Sequence, residues 1–153
     1  MKIKLVAFTR QDEPYITEGL NEYIKRIKRY TPFQTVLLKP VSSNELTRVR
    51  EQEGSTLLKE LDETDFVVLL DAGGKQLSSE EFSVLLQQQM NSSRKSLVFV
   101  IGGAYGFSAE VLKRANFKLA LSKMTFPHQL CRLIFVEQLY RAFSILNNEK
   151  YHH

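Results

Sequence analysis

Apolar residues in this chain gather in short runs separated by longer amphipathic stretches. Ile3 to Phe8, Thr35 to Leu38, Phe66 to Leu70, Leu97 to Ile101 and Phe117 to Leu121 are all of strand length. Runs that are apolar almost without alternation predict strands covered on both faces, as in a parallel sheet. Between them the period lengthens. Leu20, Tyr23, Ile24, Ile27 and Tyr30 mark one face of a helix from about Pro14 to Tyr30. Ser43 to Glu63 is polar and helix-prone, with Gly54 as a weak point inside it. Ser78 or Ser79 caps a helix reaching Met90, and Ser78 has Glu81 three residues on, the spacing of a capping box. Asn91 to Lys95 is a turn, Ser108 opens a short helix, and a long helix runs from about His128 to Asn147. Strand and helix alternate five times with no repeat and no linker. The pattern predicts one α/β domain over residues 1–153, built on a mostly parallel sheet with helices on both faces.

The last helix breaks the amphipathic rule. Leu130, Leu133, Ile134, Phe135, Val136, Leu139, Tyr140, Phe143, Ile145 and Leu146 go nearly all the way round it. One sheet face cannot cover such a helix, so a second copy of the chain is expected against it, as a homodimer. On this helix Glu137 and Arg141 stand four residues apart, one helical turn. In surroundings this apolar the pair is either a structural clasp or part of an active site, because an unpaired buried charge is expensive.

Composition narrows the class of protein. With 153 residues, 43% hydrophobic and 25% charged, the chain is long enough for a real core and too apolar for disorder. The net charge of +4 is mild and favours a nucleic-acid partner without requiring one. Lys25, Arg26, Lys28 and Arg29 fall mostly on the polar face of the first helix and read equally as a solvated surface or a contact for an RNA backbone. The single cysteine, Cys131, excludes an internal disulfide and reads as a small core residue. His128, His152 and His153 lack nearby carboxylates, so no metal is expected. The opening MKIKLVAFTRQDE is no signal peptide, and no apolar run nears the ~20 residues of a membrane span. No membrane partner and a cytoplasmic location are expected.

Familiar motifs fail on spacing. GGAYG has Ala104 where a dinucleotide fingerprint needs glycine, and no acidic residue ends the next strand. DAGGKQ lacks the Ser or Thr of a phosphate-binding loop. No Ser–His–acid triad stands out. Three loops remain: DAGGK after the third strand, GGAYG after the fourth and SKMTFP after the fifth. In a parallel sheet they lie together at the carboxyl edge, where ligands bind in open α/β folds. Their glycines either let a ligand approach backbone closely or merely serve tight turns. By composition alone, Tyr151, His152 and His153 are a disordered end or the remnant of a tag.

The strings FVIGGAYGFS, LSKMTFPHQLCRLIFVEQLYRA and the terminal YHH, with MKIKLVA, EYIKRIKRY and LDAGGKQLSSEEF, resemble the ribosomal large subunit methyltransferase H family. The resemblance covers essentially the whole chain. It implies a SPOUT-class enzyme that uses S-adenosylmethionine to methylate N3 of a pseudouridine in 23S rRNA, an α/β fold with a C-terminal trefoil knot, and a homodimer. It implies cofactor contacts at Leu70 and Gly102 and along Leu121, Ser122, Lys123, Met124, Thr125 and Phe126.

Methyl transfer from a sulfonium is an in-line displacement, and N3 of a uracil-type ring must lose its imide proton. His152 suits the base, Arg141 suits stabilisation of the anionic ring, and Glu137 suits orientation of Arg141. Tyr151 joins them as part of the same tail, which one subunit is expected to lend to the other. A chain without a separate RNA-binding domain binds naked RNA weakly, so the expected substrate is the assembled ribosome. Two other readings stand beside this one: a SPOUT methyltransferase with another RNA target, and a non-catalytic ribosome-binding protein.

Overall fold

The middle of the sheet is built from apolar runs because both of its faces are covered. The computed structural model describes residues 1–152; the expectation for His153 lies outside the described residues. Five parallel strands, β1 (Lys2–Phe8), β2 (Phe33–Leu38), β3 (Phe66–Gln76), β4 (Ser96–Ile101) and β5 (Phe117–Ala120), form a sheet in the order β2-β1-β4-β3-β5. Ile3, Leu5, Ala7, Val68, Leu97, Phe99 and Ile101 point to one face, where they meet α1 (Pro14–Ile27), α3 (Ser79–Met90) and α5 (His128–Leu146). Val6, Phe8, Val67, Leu69, Val98 and Val100 point to the other and meet α2 (Leu46–Leu58) and α4 (Ala109–Arg114). Connections stepping one way along the sheet, β1 to β2 and β3 to β4, carry α1 and α3. Those stepping the opposite way carry α2 and α4. A right-handed crossover rule sorts helices onto the two faces in this manner.

Local signals hold where the chemistry is local. Ser78 accepts from the Glu81 N–H at 3.1 Å while Glu81 accepts from the Ser78 N–H at 2.8 Å, so the capping box closes. Ser108 caps α4 by accepting from the Val111 N–H.

Several boundaries differ from expectation: β2 begins two residues early, at Phe33, and β5 ends one residue early, at Ala120. Helix α1 ends at Ile27, and Tyr30 stands beyond it in a turn, its ring stacked on Phe143 at 5.1 Å. Helix α2 is shorter at both ends than the helix-prone stretch suggested, because the flanking residues bond into turns around it. The largest correction concerns DAGGK. It is not a loop after the third strand: β3 continues to Gln76, bulging between Leu70 and Lys75, both of which register with Leu119. Asp71 accepts from the Gly73 N–H inside the bulge, and Gly74 lies where a Cβ would meet the Lys118 backbone at 2.7 Å. Turn residues here make an excursion within a strand.

Helix α5 lies between α1 and α3 on the sheet. Phe135, Val136, Leu139, Ala142 and Phe143 are fully buried, each large side chain worth about 1.5–3 kcal/mol of apolar burial. The chain's own helices therefore cover more of α5 than one sheet face would. Leu130, Leu133, Ile134, Tyr140, Ile145 and Leu146 still remain only half-buried. From the end of β5 the chain runs along the carboxyl edge, past the ends of β3 and β4, before descending as α5. That path is compatible with the trefoil threading implied by the resemblance.

Candidate active site

At the carboxyl edge the bulge of β3 and the segments that follow β4 and β5 enclose a cavity of about 350 Å³. Its walls come from three segments: Leu70 to Ala72; Ile101 to Ala104 with Gly106 and Phe107; and Leu121, Ser122 and Met124 to Phe126, with His128 and Cys131 from the start of α5. Of the residues assigned to cofactor contact, Leu70, Gly102, Leu121, Ser122, Met124, Thr125 and Phe126 line it. Lys123 does not; it stands exposed between two residues that do. The lining combines apolar side chains with backbone groups of two loops, and its size lies within the range of small-molecule sites.

The GGAYG loop is shaped by close contact within the protein. Gly106 has φ +80, which suits glycine, and its N–H donates to the Gly103 carbonyl at 3.2 Å. Gly103 packs directly on the carboxylate of Glu53, leaving no room for a Cβ. Gly106 thus serves a turn, while Gly103 is required by the close approach of the protein's own Glu53 side chain, which neither of the two explanations foresaw. Cys131 is half-buried on the cavity wall, and burial pushes its thiol up from its ordinary pKa. A thiol so shifted is a poor nucleophile.

Glu137, Arg141, Tyr151 and His152 also come together, but elsewhere. Glu137 Oε1 accepts from Arg141 Nε at 3.1 Å, from Arg141 Nη2 at 2.5 Å and from the Tyr151 hydroxyl at 2.9 Å. Its Oε2 accepts from Gln138 Nε2 at 2.8 Å. Arg141 Nη1 lies 3.3 Å from His152 Nδ1 and its guanidinium lies over the Tyr151 ring. His152 Nε2 reaches Glu80 Oε1 at 2.8 Å. Glu137 holds the Arg141 guanidinium above its ordinary pKa, so it stays cationic. Burial, with hydrogen bonds to Tyr23 and Glu137, raises the Tyr151 phenol, so it serves as a donor and not as a base. The ion pair is partly buried, its side chains 25% and 18% exposed.

None of these four residues lines the cavity. Cys131 is the last residue of α5 on the cavity wall, and at a rise of about 1.5 Å per residue Glu137 stands ~9 Å and Arg141 ~15 Å further along the axis. Within one chain, the cavity and the tail cluster are separate places.

Sequence reasoning missed two buried charges that brace the site. Arg132, 2% exposed, pairs with Asp12 and reaches Thr9, tying the first turn of α5 to the turn after β1. A lone arginine among apolar neighbours on a helix was its only signal. Glu53, 4% exposed, carried none, since it sits in a stretch of polar residues.

Comparison with known proteins resolves the family. A family profile described as "Predicted SPOUT methyltransferase" matches residues 1–152. The chain is 47% identical over 156 residues to the ribosomal RNA large subunit methyltransferase H of Parabacteroides distasonis, covering 100% of this chain and 99% of that one. It is 48% identical over the same shares to the protein of that name from Christiangramia forsetii. The Enterococcus faecalis protein of that name is 41% identical, with 99% of each chain covered. The chain belongs to the ribosomal RNA large subunit methyltransferase H family of SPOUT methyltransferases. A solved structure, a probable methylase family protein from Haemophilus influenzae, shares the fold at a TM-score of 0.52 and 15% identity, covering 99% of this chain and 70% of its own. With the family and the fold in hand, the cavity at the carboxyl edge is the candidate active site.

Proposed function

We propose that this SPOUT methyltransferase uses S-adenosylmethionine to methylate N3 of a pseudouridine in 23S rRNA, on the assembled ribosome and as a homodimer. One observation carries the reading. A cavity of small-molecule size is lined by seven of the eight residues that the family resemblance assigns to the cofactor. The relatives' shared name supports an RNA of the large ribosomal subunit as the substrate.

The residues present fit such a cofactor. Leu70, Ile101, Phe107 and Phe126 offer apolar walls for an adenosyl group, and the backbone of Gly102 and Gly103 and of Ser122 to Thr125 offers groups to read a purine edge. S-adenosylmethionine supplies a methyl group on a sulfonium, so the protein's task is to orient, to exclude water and to manage one proton. In the proposed dimer, the half-buried residues of α5 form the interface, and the tail of one subunit faces the cavity of the other. The separation of cavity and tail in one chain supports this arrangement. Arg141, fixed by Glu137 and by the ring of Tyr151, stabilises the anionic ring as its imide proton leaves. His152 has Nδ1 engaged by Arg141 and Nε2 by Glu80, and it accepts that proton at Nδ1 once Arg141 turns from it to the anionic ring.

Calorimetry with S-adenosylmethionine on the full chain tests the first half of this account. One site per subunit is expected; no binding would favour a ribosome-binding relic. Deleting residues 151–153 is expected to leave that affinity within about twofold while abolishing transfer to ribosomes. Unchanged turnover would remove the tail from the mechanism.

A further inference from the structure

A second cavity, of about 420 Å³, lies on the other side of the GGAYG loop. Ala104 lines both cavities, so the loop is the partition between them. Glu53 lines the second one. It is 4% exposed, and among the described residues no cation pairs with it. Its Oε1 accepts from the Val41 N–H at 3.1 Å. Its Oε2 packs against Gly103 and has no donor among the described residues. Oε2 is not among the sealed polar atoms of the described residues, so this acceptor keeps solvent contact and can take a donor from outside.

The rim supplies two other groups. Tyr105 is 43% exposed, and its backbone is fixed by Arg50 Nε, which donates to the Tyr105 carbonyl at 2.8 Å. Arg10 Nη2 donates to Ser42 Oγ at 2.5 Å, placing an exposed guanidinium at the mouth. The carboxylate rejects anions, and a single carboxylate is too few for a hard cation. A buried acceptor, an exposed aromatic face and a guanidinium at the mouth match an unstacked nucleobase that brings an N–H donor, with its phosphate outside.

We infer that this cavity is a nucleobase subsite holding a nucleotide adjacent to the one methylated, with Glu53 accepting from an N–H of the base and Tyr105 stacking on it. The inference rests on the RNA-methyltransferase reading above. The strand then bends over the GGAYG loop, with the target base on the cofactor side and its neighbour on the Glu53 side. Glu53 and Tyr105 thereby determine sequence selectivity and take no part in the displacement itself.

The test uses the full-length protein and ribosomes from cells lacking the modification. Tyr105→Ala is expected to raise KM for ribosomes about tenfold, the loss of one stacked base, with kcat and the calorimetric affinity for S-adenosylmethionine kept. Tyr105→Phe keeps the aromatic face and is expected to restore KM. Glu53→Gln is expected to lose wild-type discrimination among ribosomes in which each base next to the target is replaced in turn. Thermal denaturation checks that Glu53→Gln folds; if it does not, the Tyr105 pair decides alone. An unchanged KM in Tyr105→Ala overturns the inference, as does a joint fall of kcat and cofactor affinity, the mark of a structural prop. Undiminished discrimination in folded Glu53→Gln also overturns it. Failure of the wild-type protein on unaltered ribosomes is a different result, which brings down the underlying reading.

Discussion

The guanidinium of Arg132 is held between α5 and the turn after β1, where its Nη2 meets Asp12 and Thr9 and its Nε has no partner among the described residues. Asp12 is itself 16% exposed. Removing one member of such a pair leaves the other charge poorly solvated, so Arg132→Ala is expected to cost about 3–5 kcal/mol. Urea denaturation measures it, and a double-mutant cycle with Asp12→Ala should return a coupling well above the ~0.5 kcal/mol expected of independent sites. At this scale the sequence was partly legible. Glu137 and Arg141 were readable as a pair because a helical turn brings residues four apart into contact. Arg132 and Asp12 are 120 positions apart, and no local rule joins residues that only the fold brings together.

Among elements, the helices and central strands were readable because periodicity and caps are properties of neighbouring residues. The continuation of β3 was not, because the pairing of Lys75 and Gln76 with β5 overrides the turn chemistry of Asp71 to Gly74. The N-terminus of α3 carries a pH-dependent contact. The hydrogen bond to His152, above all, lowers the Glu80 carboxyl from 4.5 to about 2. A carboxyl depressed on folding contributes stability above its unfolded value and loses it as the pH falls through the folded one. The tail contact is therefore complete above about pH 4.5 and fades toward pH 2. Glu80 is 62% exposed, so salt screens the effect and its size is small. Glu80→Gln is expected to flatten the denaturation profile between those two pH values at low salt, with little difference at high salt.

For the whole molecule, the carboxyl-edge location of the candidate site was legible in the alternation of strands and helices, since parallel topology brings the segments after β4 and β5 together, and the bulge of β3 takes the place of the third loop. The separation of that cavity from the tail was not legible, because it depends on how far along α5 the chain turns back. This separation makes a two-subunit site testable. A tail-deleted subunit and a full-length subunit with the cofactor loop blocked, for example by Gly102→Trp, should each be inactive. An equimolar mixture that exchanges subunits is expected to regain up to about a quarter of wild-type turnover, because about half of its dimers are mixed and each mixed pair has one complete site of two. Sedimentation of the wild-type chain should give a dimer, and a monomer that turns over at full rate would refute the arrangement. The fold and family already point to a methyltransferase; the reaction itself is the central claim. Its most direct test is transfer from labelled S-adenosylmethionine to ribosomes lacking the modification, followed by nucleoside mass spectrometry of the 23S rRNA. Label is expected in N3-methylpseudouridine, with little transfer to naked RNA. Label in another nucleoside, or no transfer by protein that binds the cofactor, would contradict this claim.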